Sequence, residues 1–456
     1  ILHIKEHNPK TVIKGTSSVP EHWKSNTRLG ISPDAFGGTF FGEEAKISVL
    51  VPNLMKNDIS GKLSFKVTND FGEVVCDEVR DISVSKTETK QEEFEVKLPR
   101  FGYYDVKAVF ENPEYIKEGY QPGEVRYKIA RAKQSEVQNL MLGYSAHTTR
   151  GQGISTVYEW NEVLSKLGFS LARENFDWIE FQVNSGGAMA LTERQKTVLQ
   201  AAKENNLRMF PIISGSQGAH SVNFIPESKE ELDNFYQFVY EMVKAIKEIS
   251  PETNHVELFN EYHYQDRYAN NPKAAVNMQK VGYEAAHAAD PDIIVCGGAT
   301  GRFPIPWMES VLKEGFGDYI DAFSGHPYSI EARPEDITYK NGTSVQQTQS
   351  GREILDKCGY QDKEIILSEL SYTAAAVCET EVDQAAYGLR QYIMTSPLVE
   401  EYIWYNAINK KDYGSGQSVT EQNFGLLSAS NNDGVAYQVK PVALAFGAYN
   451  DLLAQG

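Results

Sequence analysis

From Val137 onward the chain alternates short apolar runs with helical patterns, and this alternation limits the fold more than any other feature. Eight such runs occur, at 139–144, 170–175, 209–214, 256–260, 293–297, 322–326, 365–369 and 402–406. Helical periodicity fills the gaps, for example at 230–249, 274–289 and 383–395, and a last pattern at 435–453 closes the chain. Parallel strands need a long crossover, usually a helix. Eight such units predict a closed (β/α)8 TIM barrel. The alternative is a doubly wound open sheet, which usually carries a glycine-rich turn after its first strand. Here the first run is followed by Ser145, Ala146, His147, Thr148 and Thr149, which form no phosphate cradle.

The preceding part, to about residue 130, has a different rhythm. Period-two alternation at 46–51, 62–67, 94–98 and 104–110 reads as half-buried strands, and Asn69-Asp70-Phe71-Gly72 reads as a hairpin turn. With no long amphipathic helix there, the pattern predicts an immunoglobulin-like β-sandwich over 1–130, ahead of a barrel over 137–456.

The formal net charge of −18 argues against a nucleic-acid or anionic-membrane partner and suits a neutral substrate. No apolar run approaches the length of a membrane span. Cys76, Cys296, Cys358 and Cys378 form no Cys-x-x-Cys pair, so buried free thiols are expected and neither metal nor cofactor is called for. Asn431-Asn432-Asp433-Gly434 offers oxygen ligands but reads as a turn. The chain begins at Ile1 rather than Met, which is read as a processed product, secreted or displayed at the cell surface after loss of a signal peptide. Oligomeric state is not legible.

In such barrels the chemistry sits where the strands end. Strand 2 ends on Arg173, Glu174 and Asn175, with Trp178 beyond. Strand 4 ends on Asn260 and Glu261, followed by Tyr262; strand 6 on His326 and Tyr328; strand 7 on Glu369, followed by Tyr372; strand 8 on Trp404 and Asn406. Two glutamates at strand mouths supply the acid/base and nucleophile of glycoside cleavage, and the aromatic and polar mixture suits a sugar. Glu257, inside strand 4, reads instead as a structural ion-pair member, and His147 and His220 lie on loops after strands 1 and 3.

These motifs resemble the retaining clan A glycoside hydrolases, most closely family 39, next family 5. Phe259-Asn260-Glu261 matches the acid/base motif and Leu367-Ser368-Glu369 the nucleophile strand. The resemblance implies Arg173 beside the nucleophile, Asn260 on the sugar 2-hydroxyl, His326 and Tyr328 as the strand 6 pair, and Trp404 as the strand 8 platform. It covers about 137–456. The activity implied is hydrolysis of a β-linked glycan through a covalent glycosyl-enzyme. Glu261 is expected to carry a raised pKa, from apolar neighbours and the charge of Glu369, and the two carboxyls to stand about 5–5.5 Å apart. Trp178, Tyr262 and Tyr372 are candidate subsite aromatics, and the loops at 215–226 and 410–424 candidate determinants of the sugar. A catalytically inactive glycan-binding barrel is the alternative function.

Overall fold

The computed structural model describes residues 4–6, 29–112, 123–184, 186–214, 226–264, 269–410, 419–429 and 437–455. His220, the Asn431–Gly434 turn and most of the 215–226 loop lie outside them, as does the stretch 411–418. The chain divides into two compact units.

The first unit holds 1–5, 137–426 and 441–446. Its sheet is a ring of parallel strands: β10 (Val137–Ser145), β11 (Phe169–Asp177), β12 (Arg208–Ser214), β13 (His255–Leu258), β14 (Ile294–Gly301), β15 (Ala322–His326), β16 (Glu364–Leu370) and β17 (Glu401–Tyr405). A short strand, β1 (Ile4–Glu6), adds to β10. The ring closes where β10 pairs β17, with Leu142 opposite Tyr402 and Ser145 opposite Tyr405. All eight strands of the sequence reading are present, and the barrel replaces the open-sheet alternative.

Inside the ring, Leu171, Phe210, Cys296, Ala322, Ile366 and Ile403 pack into one apolar layer. Side chains two residues further along each strand rise toward the mouth, because successive residues alternate between the barrel interior and the helices. Helices wrap the outside, and four of them begin with a capping box, at Thr192, Ser228, Thr343 and Thr380. None of the described helices is long and apolar enough to cross a membrane.

The second unit holds 6–136, 427–440 and 447–456, so two stretches that the sequence groups with the barrel cluster with the N-terminal sheets. One sheet runs β2 (Gly30–Pro33), β4 (Glu44–Pro52), β7 (Thr89–Lys97). The other runs β3 (Thr39–Phe40), β9 (Glu124–Arg131), β8 (Gly102–Glu111), β5 (Ile59–Asn69), β6 (Val74–Val84). The two inner faces form a single core, with the rings of Phe65 and Phe94 stacked 4.0 Å apart across it. The buried Tyr104 donates its hydroxyl to Arg100 O at 2.7 Å and accepts from Arg100 N at 2.9 Å, a corner of the kind found in immunoglobulin-type sandwiches. β6 escaped the sequence reading because Asp77, Glu78, Arg80 and Asp81 break its apolar run. All four cysteines are free; Cys296 and Cys378 are buried, whereas Cys76 and Cys358 are only partly so.

Candidate active site

Arg173 organises the mouth of the barrel. It rises from β11 two residues above Leu171 and is almost fully buried. Its Nε and Nη2 donate to Glu257 Oε2 at 2.9 and 2.5 Å. Its Nη2 also reaches Asn260 Oδ1 at 2.7 Å, and its Nη1 reaches Glu369 Oε2 at 3.0 Å. One planar guanidinium thus ties β11 to β13 and β16, a fork geometry that lysine cannot reproduce. Glu257 is the buried counter-charge, as its place inside the strand suggested.

Glu369 lies on β16 where the register against β17 shifts between Leu367 and Leu370, an irregularity of the sort that re-aims side chains. Its second oxygen, Oε1, accepts from the Tyr328 hydroxyl at 3.0 Å. Burial, reinforced by the charge of Glu369, pushes the Tyr328 phenol well above its usual pKa, so it stays a donor.

Glu261 is presented differently. The chain leaves β13 through Phe259 (φ 62°) and Glu261 (φ 50°), both left-handed and both non-glycine. Strain of this kind persists where surrounding bonds over-determine it. Here Phe259 N donates to Ile213 O at 3.0 Å and Glu261 N to Ala299 O at 2.9 Å. Glu261 Oε1 meets His326 Nδ1 at 2.9 Å, and the other ring nitrogen meets Ser368 Oγ at 3.1 Å. Burial acts to raise the Glu261 pKa, but the hydrogen bond and charge of His326, with smaller help from His263 and Arg173, bring it below the ordinary value. This reverses the expected elevation: sequence reading saw Phe259 and Tyr262 nearby but could not see His326 against the carboxylate.

Six of the sequence candidates therefore converge: Arg173, Asn260, Glu261, His326, Tyr328 and Glu369. Four do not. Trp404 points into the helical layer, where its indole donates to Phe424 O at 2.9 Å and its ring closes on Gly388 and Phe446. Trp178 is buried in a stack with Phe238, centroids 4.6 Å apart, and its indole donates to Gln182. Tyr262 is fully buried beside Phe259 and Trp307. Tyr372 is also buried and donates to Ala332 O at 2.8 Å. A buried tryptophan and a rim tryptophan look alike in sequence.

On β17 the inward residue is Tyr405, two beyond the interior Ile403. Its ring meets Tyr328, Phe424 and His147, and its hydroxyl meets Lys410 and Glu421. Alternation in the sequence puts Tyr405 on the same face as Ile403, but only the fold shows which face is inward. His147 is half-buried on the loop after β10 with both ring nitrogens inaccessible, and desolvation, with the charge of Lys410, lowers its pKa to about 4. That loop is anchored by the buried Glu174, whose carboxylate accepts from Thr148 N at 3.0 Å, Thr149 N at 3.4 Å and Thr149 Oγ1 at 3.3 Å. Burial outweighs these bonds and raises Glu174 to about 7.

Fold and site together define a (β/α)8 protein with one carboxylate at the mouth of its fourth strand and another at the mouth of its seventh. Solved structures that share this fold include glycoside hydrolases of families 39 and 5 of clan A. The chain is similar to a family 39 glycoside hydrolase from the gut symbiont Bacteroides cellulosilyticus WH2, at 18% identity and a TM-score of 0.67, over 91% of this chain and 81% of that one. It is similar to a family 39 enzyme from Xanthomonas axonopodis pv. citri at 17% identity and TM-score 0.52, over 68% of this chain and 65% of that one. A family 5 protein of Bifidobacterium longum subsp. longum, solved in complex with Manβ1-4GlcNAc, aligns at 11% identity and TM-score 0.51, over 70% of this chain and 79% of that one. No protein-family model and no curated protein sequence matches the chain.

Proposed function

We propose that this protein is a retaining glycoside hydrolase that cleaves β-glycosidic bonds by double displacement, with Glu369 as nucleophile and Glu261 as acid/base. The observation that carries this reading is the unequal treatment of the two carboxylates. Glu369 is flanked by the Arg173 guanidinium and the Tyr328 hydroxyl, one donor to each oxygen, which fix the carboxylate's orientation for attack on an anomeric carbon. Glu261 faces a titratable partner, His326, with which it can share a proton. Environments that separate the roles of two carboxyls are the mark of paired acid/base chemistry.

In the first step Glu369 Oε attacks the anomeric carbon while Glu261 gives its proton to the departing glycosidic oxygen. In the second, Glu261 takes a proton from water, which attacks the glycosyl-enzyme. Asn260 Oδ1 accepts from Arg173 Nη2, which leaves the amide NH2 to donate to the sugar 2-hydroxyl. His326 holds Glu261 below its ordinary pKa, so the hydrogen bond between them bears on the proton that Glu261 must deliver.

The test is turnover of aryl β-glycosides with product anomers followed by NMR. Glu369→Gln is expected to lower kcat at least about 10³-fold. Glu261→Ala is expected to keep activity only on substrates with good leaving groups and to be rescued by azide. Full activity in Glu369→Gln, or an inverted product, would overturn the assignment.

A further inference from the structure

The side of the mouth beside Glu261 carries two donors with no acceptor. Arg302 directly follows β14, is half-buried, and forms no ion pair among the described residues. Apart from the exposed Arg333, every other described arginine lies within 3.5 Å of a carboxylate oxygen. The second donor is Tyr264, which is largely exposed and makes no side-chain hydrogen bond among the described residues. Its hydroxyl lies so close to Gly301, the last residue of β14, that a β-carbon there would collide with it. The charge of Arg302 acts on that hydroxyl, while burial and the charge of Glu261 hold the phenol above its usual pKa and so keep it a donor. The backbone fixes both groups against the acid/base. β14 stands between β13, which leads to Glu261, and β15, which presents His326. Arg302 N donates to His326 O at 2.7 Å, Thr300 Oγ1 donates to Arg302 O at 2.8 Å, and Tyr264 N donates to Glu261 O at 3.2 Å. Seven described non-glycine residues have left-handed φ, and four of them, Phe259, Glu261, Ala299 and Arg302 (φ 65°), lie at these two strand ends. Strain of that kind concentrates where a site requires it.

We propose that Arg302 and Tyr264 hold the charge of an anionic leaving group, so that the sugar released beside Glu261 bears a carboxylate or a sulfate ester. The proposal rests on the glycoside hydrolase reading for one point, that Glu261 is the acid/base. An acid/base carboxyl gives its proton to the departing oxygen, so the groups next to it meet the leaving group and not the sugar bound against Glu369. A guanidinium offers donors and no acceptor, and its fork fits two oxygens of a carboxylate or a sulfate. The Tyr264 hydroxyl adds a further donor to the same anion. The other arginine of the mouth, Arg173, is already held by Glu257 and Glu369. The net charge of −18 disfavours a polyanion as a whole, but one uncompensated cation at the mouth selects for a single anionic unit.

The leaving-group site also takes acceptors. In place of water, a sugar hydroxyl gives its proton to Glu261, its oxygen bonds to the anomeric carbon, and Glu369 departs as the carboxylate. The experiment forms the glycosyl-enzyme from an aryl β-glycoside that wild type hydrolyses, and measures transfer to methyl α-D-glucoside, its 6-sulfate and methyl α-D-glucuronide. Wild type is expected to transfer to one of the anionic acceptors at least about 10-fold more efficiently than to the neutral one. The preferred anion identifies the unit as a uronate or a sulfated sugar. Arg302→Met should cut that ratio about 10- to 100-fold, Arg302→Lys should keep part of it, and Tyr264→Phe should cut it by less than Arg302→Met does. Salt at about 0.5 M should lower the ratio in wild type. A wild-type ratio of about one, transfer to none of the acceptors, or an unchanged ratio in Arg302→Met overturns the proposal. If wild type hydrolyses no aryl glycoside, calorimetric titration with the three methyl glycosides decides. Binding of an anionic glycoside that Arg302→Met abolishes would keep the anion site and reject the hydrolase reading; no anionic binding to wild type would reject the site.

Discussion

Arg173 and Glu257 form a buried ion pair whose partners both lie at the floor of the site. Removing one member of such a pair leaves the other charged and unpaired, at a cost of about 3–5 kcal/mol. Arg173→Met should therefore destabilise the protein by about that much in denaturant unfolding, and adding Glu257→Gln should return part of it. Glu174 has the opposite electrostatics: a carboxyl raised from 4.5 to about 7 by burial, against the hydrogen bonds of Thr148 and Thr149. Between those two values the folded state binds the proton and the unfolded state does not, so stability falls as pH rises through the interval and the loss is complete above it. The loss amounts to roughly 3 kcal/mol. Glu174→Gln should flatten that segment of the stability–pH curve, measured by Tm at fixed ionic strength. For Glu261 the shift is downward, and in the proposed reaction its protonated form is the one that assists leaving-group departure. The alkaline limb of kcat/KM is therefore set by the Glu261–His326 pair, and His326→Asn, which removes the opposing charge, should move that limb to higher pH.

The elements decide which of two adjacent residues serves the site. β17 was legible as a strand, but not its facing, and Trp404 and Tyr405 exchange roles with that facing. Trp404 fills the space against Gly388, where even one added carbon would meet its ring at 2.6 Å. Trp404→Ala should cost about 3–5 kcal/mol of stability with kcat/KM little changed in the folded fraction. Tyr405→Ala should do the reverse, lowering kcat/KM with a smaller fall in Tm. β13 and β16 were the easier elements, because a carboxylate directly after a buried apolar run marks a strand mouth in either facing. The left-handed turn at Phe259 and Glu261 left no trace in the sequence, since neither residue is glycine. What holds it are carbonyls of β12 and of the β14 strand end, which lie far along the chain.

At the scale of the molecule, two cores are built by two different periodicities, one for the sandwich and one for the barrel. Tyr104→Phe removes the hydroxyl that joins two ends of the Arg100 peptide, and should lower the stability of the sandwich by about 1 kcal/mol while leaving the kinetics of the proposed reaction unchanged. The sequence alone determined the repeating strand–helix order, the sandwich ahead of it, and the residue types at each strand mouth, because apolar periodicity is a local property that burial imposes on every window of the chain. The tertiary structure alone decided that 427–440 and 447–456 cluster with the sandwich, that Trp404 faces away from the mouth, and that His326 meets Glu261. Those outcomes depend on ring closure and on contacts between residues tens to hundreds of positions apart. No local pattern encodes them, and the pKa of an acid is set by whichever side chain the fold brings to it.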